Sequence, residues 1–268
     1  MGNTILTKKY MIHDDLNQEI AFVTLEHLWA DVFALKYKRI LNNPTPTPTQ
    51  WSNAFKEALL EVNTLKVRQV LIRLIKDDFS ENISLLLPEL GFNKKNERVE
   101  FKKLVCELPD DSGTPMIWKT ALEMGLSPND VAKILKMVSV GDPDSDPNED
   151  PMLFIQDFLA DPVLTSGLQC IHIGFIENKI VALTVIQINP KNGWSRISYM
   201  GVGPEFRGKK LGQWVHRHSF KIMKQEGGVQ YHGGTASTNT KMIRLFETHN
   251  CNRFCEMEEW QVNMKGGI

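Results

Sequence analysis

Met200-Gly201-Val202-Gly203-Pro204-Glu205-Phe206-Arg207-Gly208-Lys209-Lys210-Leu211-Gly212 reads as the end of a strand, a tight glycine-bearing turn and the start of a helix. Upstream, Trp194-Ser195-Arg196-Ile197-Ser198-Tyr199-Met200 is rich in β-formers and alternates like a half-buried strand. Downstream, Leu211, Trp214, Val215, His218, Ile222 and Met223 recur at helical spacing. A turn of this kind aims backbone N–H groups from a helix N-terminus at whatever sits before it, and a phosphate suits them. Gly208 and Gly212 carry no Cβ, so a ligand or a packed strand can come close. Arg207, Lys209 and Lys210 add positive charge where a pyrophosphate would lie.

The segment resembles the cofactor signature of the GNAT superfamily of acyl-CoA-dependent N-acyltransferases, whose pattern is Val-x-Pro-x-aromatic-Arg-Gly-x-Gly-x-Gly/Ala. Val202, Pro204, Phe206, Arg207, Gly208 and Gly212 match it, and Lys210 stands where the family usually has another glycine. The resemblance covers residues 115–264 and implies an α/β (α+β) GNAT fold: a mixed, mostly antiparallel central sheet flanked by helices. It implies acetyl-CoA as co-substrate, no metal, and a cofactor site made of Met200, Gly201, Val202, Arg207, Gly208, Lys209, Lys210, Leu211, Gly212, Gln213, Asn239 and Phe246. The implied partner is a small-molecule or peptide amine.

Bulk composition narrows the field. With 31 basic and 32 acidic side chains the formal charge is −1, so no global basic footprint argues for nucleic acid. No apolar run approaches membrane-span length. Cys106, Cys170, Cys251 and Cys255 are too few and too scattered for a disulfide scaffold, and a cytoplasmic setting is expected. The N-terminus lacks the apolar core of a signal peptide, and Leu6 sits where a myristoylation site needs Ser or Thr. A homodimer is left open.

The chain divides, on this reading, into a smaller α/β N-terminal lobe over 1–110 and a GNAT domain over 115–268, joined at Pro109–Thr114. Residues 1–20 are polar and weakly patterned. Leu28, Trp29, Val32, Phe33, Leu35 and Ile40 suggest an amphipathic helix over Glu26–Leu41. The alternating prolines of Asn42–Thr49 read as an extended connector, and Trp51–Leu65 as a helix capped by Ser52. Val67–Ile75 and Val99–Leu108 read as strands around a helix at Glu81–Leu90, ended by Gly91. This run is similar to the C-terminal part of a GNAT fold without a phosphate loop, which implies a reduced, non-catalytic GNAT-like lobe; a chance α/β packing unit is the alternative.

In the second part, Ser127-Pro128-Asn129-Asp130 is a helix start, and Met152–Leu159 a further helix. Asp142, Asp144 and Asp146 have calcium-loop spacing. Pro147 replaces the required glycine and Leu153 the closing Glu, so a solvated acidic loop is expected. Cys170–Ile176 and Ile180–Ile188 form a hairpin leading to the signature strand. Val229–Ala236 reads as a strand and Thr240–Glu247 as a helix with Met242, Leu245 and Phe246 on one face.

The chemistry implied is attack of an uncharged amine on a thioester carbonyl, that of a GNAT-type N-acetyltransferase (an acyltransferase of groups other than amino-acyl groups). Asn239 would bond the pantetheine arm, fix the splay between strands, or simply cap its helix. Phe246 stands where many family members carry the Tyr that protonates the departing thiolate. Backbone N–H groups near Met200–Val202 would hold the oxyanion at a bulge permitted by Gly201 and Gly203. His232 is the leading general base and Tyr199 a second candidate acting through water; Glu205, His172, His216 and His218 fit solvated or structural roles better. His249, Cys251 and Cys255 fit no zinc spacing. A degenerate GNAT module that binds acyl-CoA without turnover is the alternative, and an interaction domain with no CoA site a third reading. A dinucleotide enzyme is disfavoured for want of Gly-x-Gly-x-x-Gly.

Overall fold

Hydrophobic runs of strand length, broken by helix-forming stretches, set the element order. The computed structural model of the protein describes residues 7–29, 32–40, 43–65, 67–76, 80–109, 113–145, 150–161 and 163–264. The elements are β1 (Thr7–His13), β2 (Glu19–Trp29), β3 (Val32–Arg39), α1 (Pro48–Asn63), β4 (Gln69–Ile75), α2 (Ser80–Leu86) and β5 (Asn93–Leu104). There follow β6 (Ile117–Thr120), α3 (Pro128–Ser139), α4 (Pro151–Leu159), β7 (Ile171–Ile176), β8 (Lys179–Ile188) and β9 (Trp194–Val202). The chain closes with α5 (Leu211–Gln225), β10 (Gln230–Ala236), α6 (Thr240–Thr248) and β11 (Asn252–Asn263).

Two compact units share the chain: Met1–Arg98 with Cys255–Ile268, and Val99–Phe254. The division thus falls inside β5 and again inside β11, whereas the sequence reading put it at 110–115 and gave the C-terminus to the second part. Residues 110–112 of the expected linker lie outside the described residues, as do the Met1-Gly2 start, Leu6, and Asp146 to Glu149 of the acidic stretch.

In the first unit the strands run in the order β1–β2–β3–β4–β11. The pairs β1/β2 and β2/β3 are antiparallel, and β3/β4 is parallel across the helix α1. Trp51, Phe55, Ile20, Val23, Leu25, Leu35, Ile72 and Ile83 form its core. The helix expected over Glu26–Leu41 is absent from the described residues there, which form β2 and β3. Ala21, Val23 and Leu25 are buried at period two and Val32–Leu35 are buried on both faces, so apolar residues from two strands and two faces imitate a helical spacing. The start of α1 also differs from expectation. Thr47 is the cap, in a capping box with Gln50, and Pro48 opens the helix, which leaves Ser52 inside it.

In the second unit the order is β6–β7–β8–β9–β10–β5. Again two antiparallel pairs, β7/β8 and β8/β9, lead to a parallel pair, β9/β10, across a helix, α5. The succession β1-β2-β3-α1-β4-α2-β5 is therefore repeated as β7-β8-β9-α5-β10-α6-β11. The last strand of each repeat lies in the sheet of the other: β11 pairs with β4, and β5 neighbours β10. Helices α3 and α4 cover one face of β7–β9 through Val131, Leu135, Ile155 and Phe158. The opposite face packs Phe220, Met223, Tyr231 and Phe246 against Val99 and Phe101. Ser127 caps α3 in a capping box with Asp130, as its sequence predicts.

Candidate acyl-donor site

The chain leaves β9 at Val202 and turns through Gly208 and Lys210 into α5. Gly208 has φ +80° and Lys210 φ 59°, both in the left-handed region. Lys210 holds the N-cap place without capping: among the described residues no side chain bonds the first turn of α5. The Gln213 N–H turns back to the Lys210 carbonyl at 3.1 Å. A Cβ built on Gly208 or Gly212 would meet no atom within 4 Å. An uncapped helix N-terminus over open space leaves backbone N–H groups without partners, an arrangement that suits an anion.

The equivalent turn of the first repeat is closed to the same use. Thr47 and Gln50 fill the α1 N-terminus, and Pro44, Pro46 and Pro48 have no amide hydrogen to offer.

Arg207 has a different place from the one expected. Its Nε donates to the Val202 carbonyl at 2.8 Å and its guanidinium NH2 to the Val138 carbonyl at 2.9 Å. It ties the end of β9 to the end of α3, and the Val202 carbonyl is engaged by it. Lys209 lies over the Phe206 ring at 5.7 Å. Leu211 is buried, Gln213 half-buried, and Met200 and Val202 pack with Val181, Ala182 and Val215.

Next to the turn, the sheet opens. Strands β9 and β10 are in register only from Gln230↔Trp194 to His232↔Arg196, although β9 runs on to Val202 and β10 to Ala236. A bulge accompanies the parting. Val185 faces Tyr199 and Ile186 faces Ile197, so Ser198 is the extra residue. It falls before the Met200–Val202 stretch where the sequence reading put it. Gly201 serves another purpose, because a Cβ there would lie 2.5 Å from the Tyr199 hydroxyl oxygen, which folds back over it.

Tyr199 is largely buried beside Asp142, and burial first, then the neighbouring carboxylate, push its phenol well up. It stays protonated near neutral pH and offers a hydrogen bond rather than a base. Burial, followed by its neighbour Lys102, lowers the His232 pKa, so this ring is neutral at the same pH. His232 lies at the closed end of the opening, its centroid 5.6 Å from Trp194 and 5.4 Å from Phe254. Among the described residues no hydrogen bond or ring contact joins His232 to Tyr199.

A polar network, missed in the sequence, lines the strands where they begin to part. Arg196 donates from NH2 to Gln187 Oε1 at 2.7 Å and from Nε to Ser198 Oγ at 3.1 Å; its NH2 also stands 3.4 Å from Asp161. Gln187 Nε2 donates to Asp161 at 3.2 Å. The signal was present: Gln187, Arg196 and Ser198 are polar residues in strands that are mostly apolar or aromatic.

Asn239 caps α6, accepting the Met242 N–H at 3.2 Å, while its Nδ2 donates to Asp144 at 2.8 Å. Of its expected roles the cap is realised. Phe246 is not a cofactor wall: it is buried and stacked on Phe101, centroids 4.5 Å apart, in the core beneath β10. The apolar face of α6 that made it conspicuous in sequence points inward.

His172, His216, His218 and His249 are buried and paired with one another. His216 Nδ1 meets His249 Nδ1 at 2.8 Å and its Nε2 meets the Tyr231 hydroxyl at 3.1 Å. His218 Nε2 meets His172 Nδ1 at 3.2 Å, with Trp118 stacked on His218 at 4.0 Å. Burial holds His172 and His249 down at about 4, the latter helped by Arg217 and Lys103, and burial with His249 beside it holds His216 well below its ordinary value. Cys251 is buried and its thiol is pushed up to about 11. Among the described residues no group of three or more His, Cys, Asp or Glu side chains could hold a metal ion, and no helix is long and apolar enough to cross a membrane.

Residues 135–250 match the model of the Acetyltransferase (GNAT) family. No curated protein matches the sequence. Among solved structures the chain is similar to a functionally unknown conserved protein from Staphylococcus epidermidis, at 12% identity over 95% of this chain and 96% of that one, with a TM-score of 0.61. It is similar also to a GCN5-related N-acetyltransferase from Sphaerobacter thermophilus, at 13% identity over 96% and 81%, TM-score 0.60. A tandem GNAT protein from the clavulanic acid biosynthesis pathway aligns at 9% identity over 98% and 84%, TM-score 0.55. At such identities the likeness is one of fold, and the fold of this chain is that of the GNAT superfamily.

Proposed function

We propose that the second unit is an acetyl-CoA-dependent N-acetyltransferase and that the first unit is its non-catalytic, GNAT-like counterpart. One observation carries the reading: of two equivalent strand–turn–helix places, only the one before α5 keeps an uncapped helix N-terminus over open space. The cradle fits a pyrophosphate, with the amides from Gly208 to Gly212 as donors and Lys209 and Lys210 as nearby charge. Acetyl-CoA would supply an acetyl group activated as a thioester.

The chain's own contribution lies along the β9–β10 opening. Backbone groups of β9 beyond the Ser198 bulge have lost their β10 neighbour and are positioned to bind the donor's arm and polarise its carbonyl. Neutral His232, at the closed end, is suited to accept the proton of an attacking amine. Tyr199 keeps its proton and orients rather than abstracts. A small-molecule or peptide amine is the acceptor. The second reading, a binding module without turnover, is favoured by the burial of Phe246, which leaves its position with neither a hydroxyl nor access.

Thermal unfolding with and without acetyl-CoA, with NAD as the control, tests the site. At about 100 times the dissociation constant, acetyl-CoA adds about 2.7 kcal/mol, and NAD adds nothing. Gly212→Glu abolishes the gain by placing a carboxylate in the cradle; an unchanged gain refutes the site. Thiol release from acetyl-CoA with an amine panel then separates the two readings, and His232→Ala lowers that release about 100-fold if His232 is the base.

A further inference from the structure

Where two parallel strands part, each is left with backbone donors that have no sheet partner. In β10 these can be followed residue by residue. The Gln230 N–H points to the β9 side, toward the Gly193 carbonyl at 3.3 Å. Backbone alternation carries the amides of His232, Gly234 and Ala236 to that same side. Register with β9 ends at His232. The Ala236 N–H nevertheless has a partner, Asp144 Oδ1 at 2.6 Å. The same carboxylate accepts from the Thr235 hydroxyl and, at 2.8 Å, from Asn239 Nδ2.

The turn that presents Asp144 is internally braced. The Asp144 N–H donates to Asp142 Oδ1 at 3.0 Å and the Ser145 N–H to the Asp142 carbonyl at 3.1 Å. Its near end rests on the β9 side. Asp142 lies beside Tyr199, and a Cβ on Gly141 would stand 3.5 Å from the Arg207 guanidinium that grips the Val202 carbonyl. The segment Gly141–Ser145 therefore has one foot on each of the two parted strands. Nothing in its acidic composition announced this, since the carboxylate was expected in solvent.

We propose that Asp144 is a positioning residue that holds the β9–β10 opening apart by standing in for the β9 edge that β10 has lost. It acts through the backbone of Ala236 and the side chains of Thr235 and Asn239, not on substrate. Without the carboxylate, the Ala236 amide must take water or draw β10 back toward β9, and the gap that would admit the acyl arm narrows. The effect on ligand rests on the acyl-CoA reading above, whereas the effect on the strands does not.

Amide hydrogen exchange on the full chain, without ligand, tests the strand effect, and calorimetric titration with acetyl-CoA tests its consequence. The variants are Asp144→Ala and Asp144→Asn. Asp150→Ala, which removes the α4 cap bond to the Met152 N–H at 2.9 Å, serves as the control for loss of stability in the same part of the chain. Exchange at Ala236 rises at least about tenfold in both Asp144 variants, as loss of a charge-assisted bond requires. Exchange along Tyr199–Val202 changes with it, β7 is unaffected, and acetyl-CoA affinity falls about tenfold or more. Unchanged protection at Ala236 overturns the proposal, as does an Asp150→Ala variant that reproduces both effects. No acetyl-CoA binding by the wild-type chain, together with the exchange difference in the Asp144 variants, upholds the wedge and overturns the acyl-CoA reading.

Discussion

Lowering the pH from 7.5 to 5.0 destabilises the second unit through histidines that its core keeps neutral. His172 and His249 are 8% and 2% exposed, and burial holds both at about 4, against 6.5 for a free ring. Between those values the unfolded chain binds protons that the folded chain refuses. Stability is therefore full above 6.5 and falls as the pH drops toward 4. At pH 5.0 each ring costs about 2 kcal/mol, so the two cost about 4 kcal/mol, and His216, locked between His249 and Tyr231, adds in the same direction. Asp142, whose carboxyl burial raises, works the other way, but it is one group against the several histidines that burial lowers. Carboxylates held low, such as Glu97 at about 2, lose their contribution only below pH 4.5 and leave this window clean. Urea unfolding at the two pH values measures the effect. With a slope of about 2 kcal/mol per molar, the midpoint falls by about 2 M. His172→Gln removes about half of that fall. A change in unfolding free energy below about 1 kcal/mol would refute the claim that these rings are folded in neutral.

Lys210→Gly tests the turn. A non-glycine residue at φ 59° costs about 1–2 kcal/mol and glycine gives back part of that as chain entropy, so the variant gains about 0.5–1 kcal/mol in thermal unfolding. Its acetyl-CoA affinity stays within about threefold, because amides rather than the ammonium hold the anion; a larger loss gives the ammonium that role. Phe246→Tyr adds a hydroxyl to a buried ring stacked on Phe101 and near Tyr231, costs about 1–3 kcal/mol and leaves thiol release unimproved. A rise in turnover would mean that the side chain reaches the thioester after all.

Elements whose signals are local were legible in the sequence. The Ser127 cap, the strand–turn–helix around Gly208, the hairpin of β7 and β8, and the Asn239 cap each depend on residues a few positions apart. The repeat in element order was half legible. The strand–helix–strand at β4-α2-β5 was recognisable, but β1 and the β2–β3 hairpin before it were not, because β1 is polar and apolar side chains of both faces of β2 and β3 imitate a helix. The candidate site divides the same way. Gly208 and Gly212 marked the open turn by composition, whereas Arg207, Asp144 and Phe246 declared only charge or bulk and were given the wrong neighbours.

Consecutive residues suffice to build the turn around Gly208 and to leave the α5 N-terminus without a side-chain cap, because each of those features depends only on near neighbours in the chain. The capped α1 N-terminus is equally local, made by Thr47, Gln50 and the prolines around them, although Ser52 was the cap expected there. Tertiary assembly, by contrast, settled that each repeat's last strand enters the other's sheet, that β9 and β10 part after Arg196, and that a carboxylate more than ninety residues upstream of Ala236 accepts its N–H. Those outcomes depend on which backbone donors are left without a partner once the sheet is assembled. That demand is met through space, by whichever chain segment arrives there, and it leaves no periodicity for the sequence to carry.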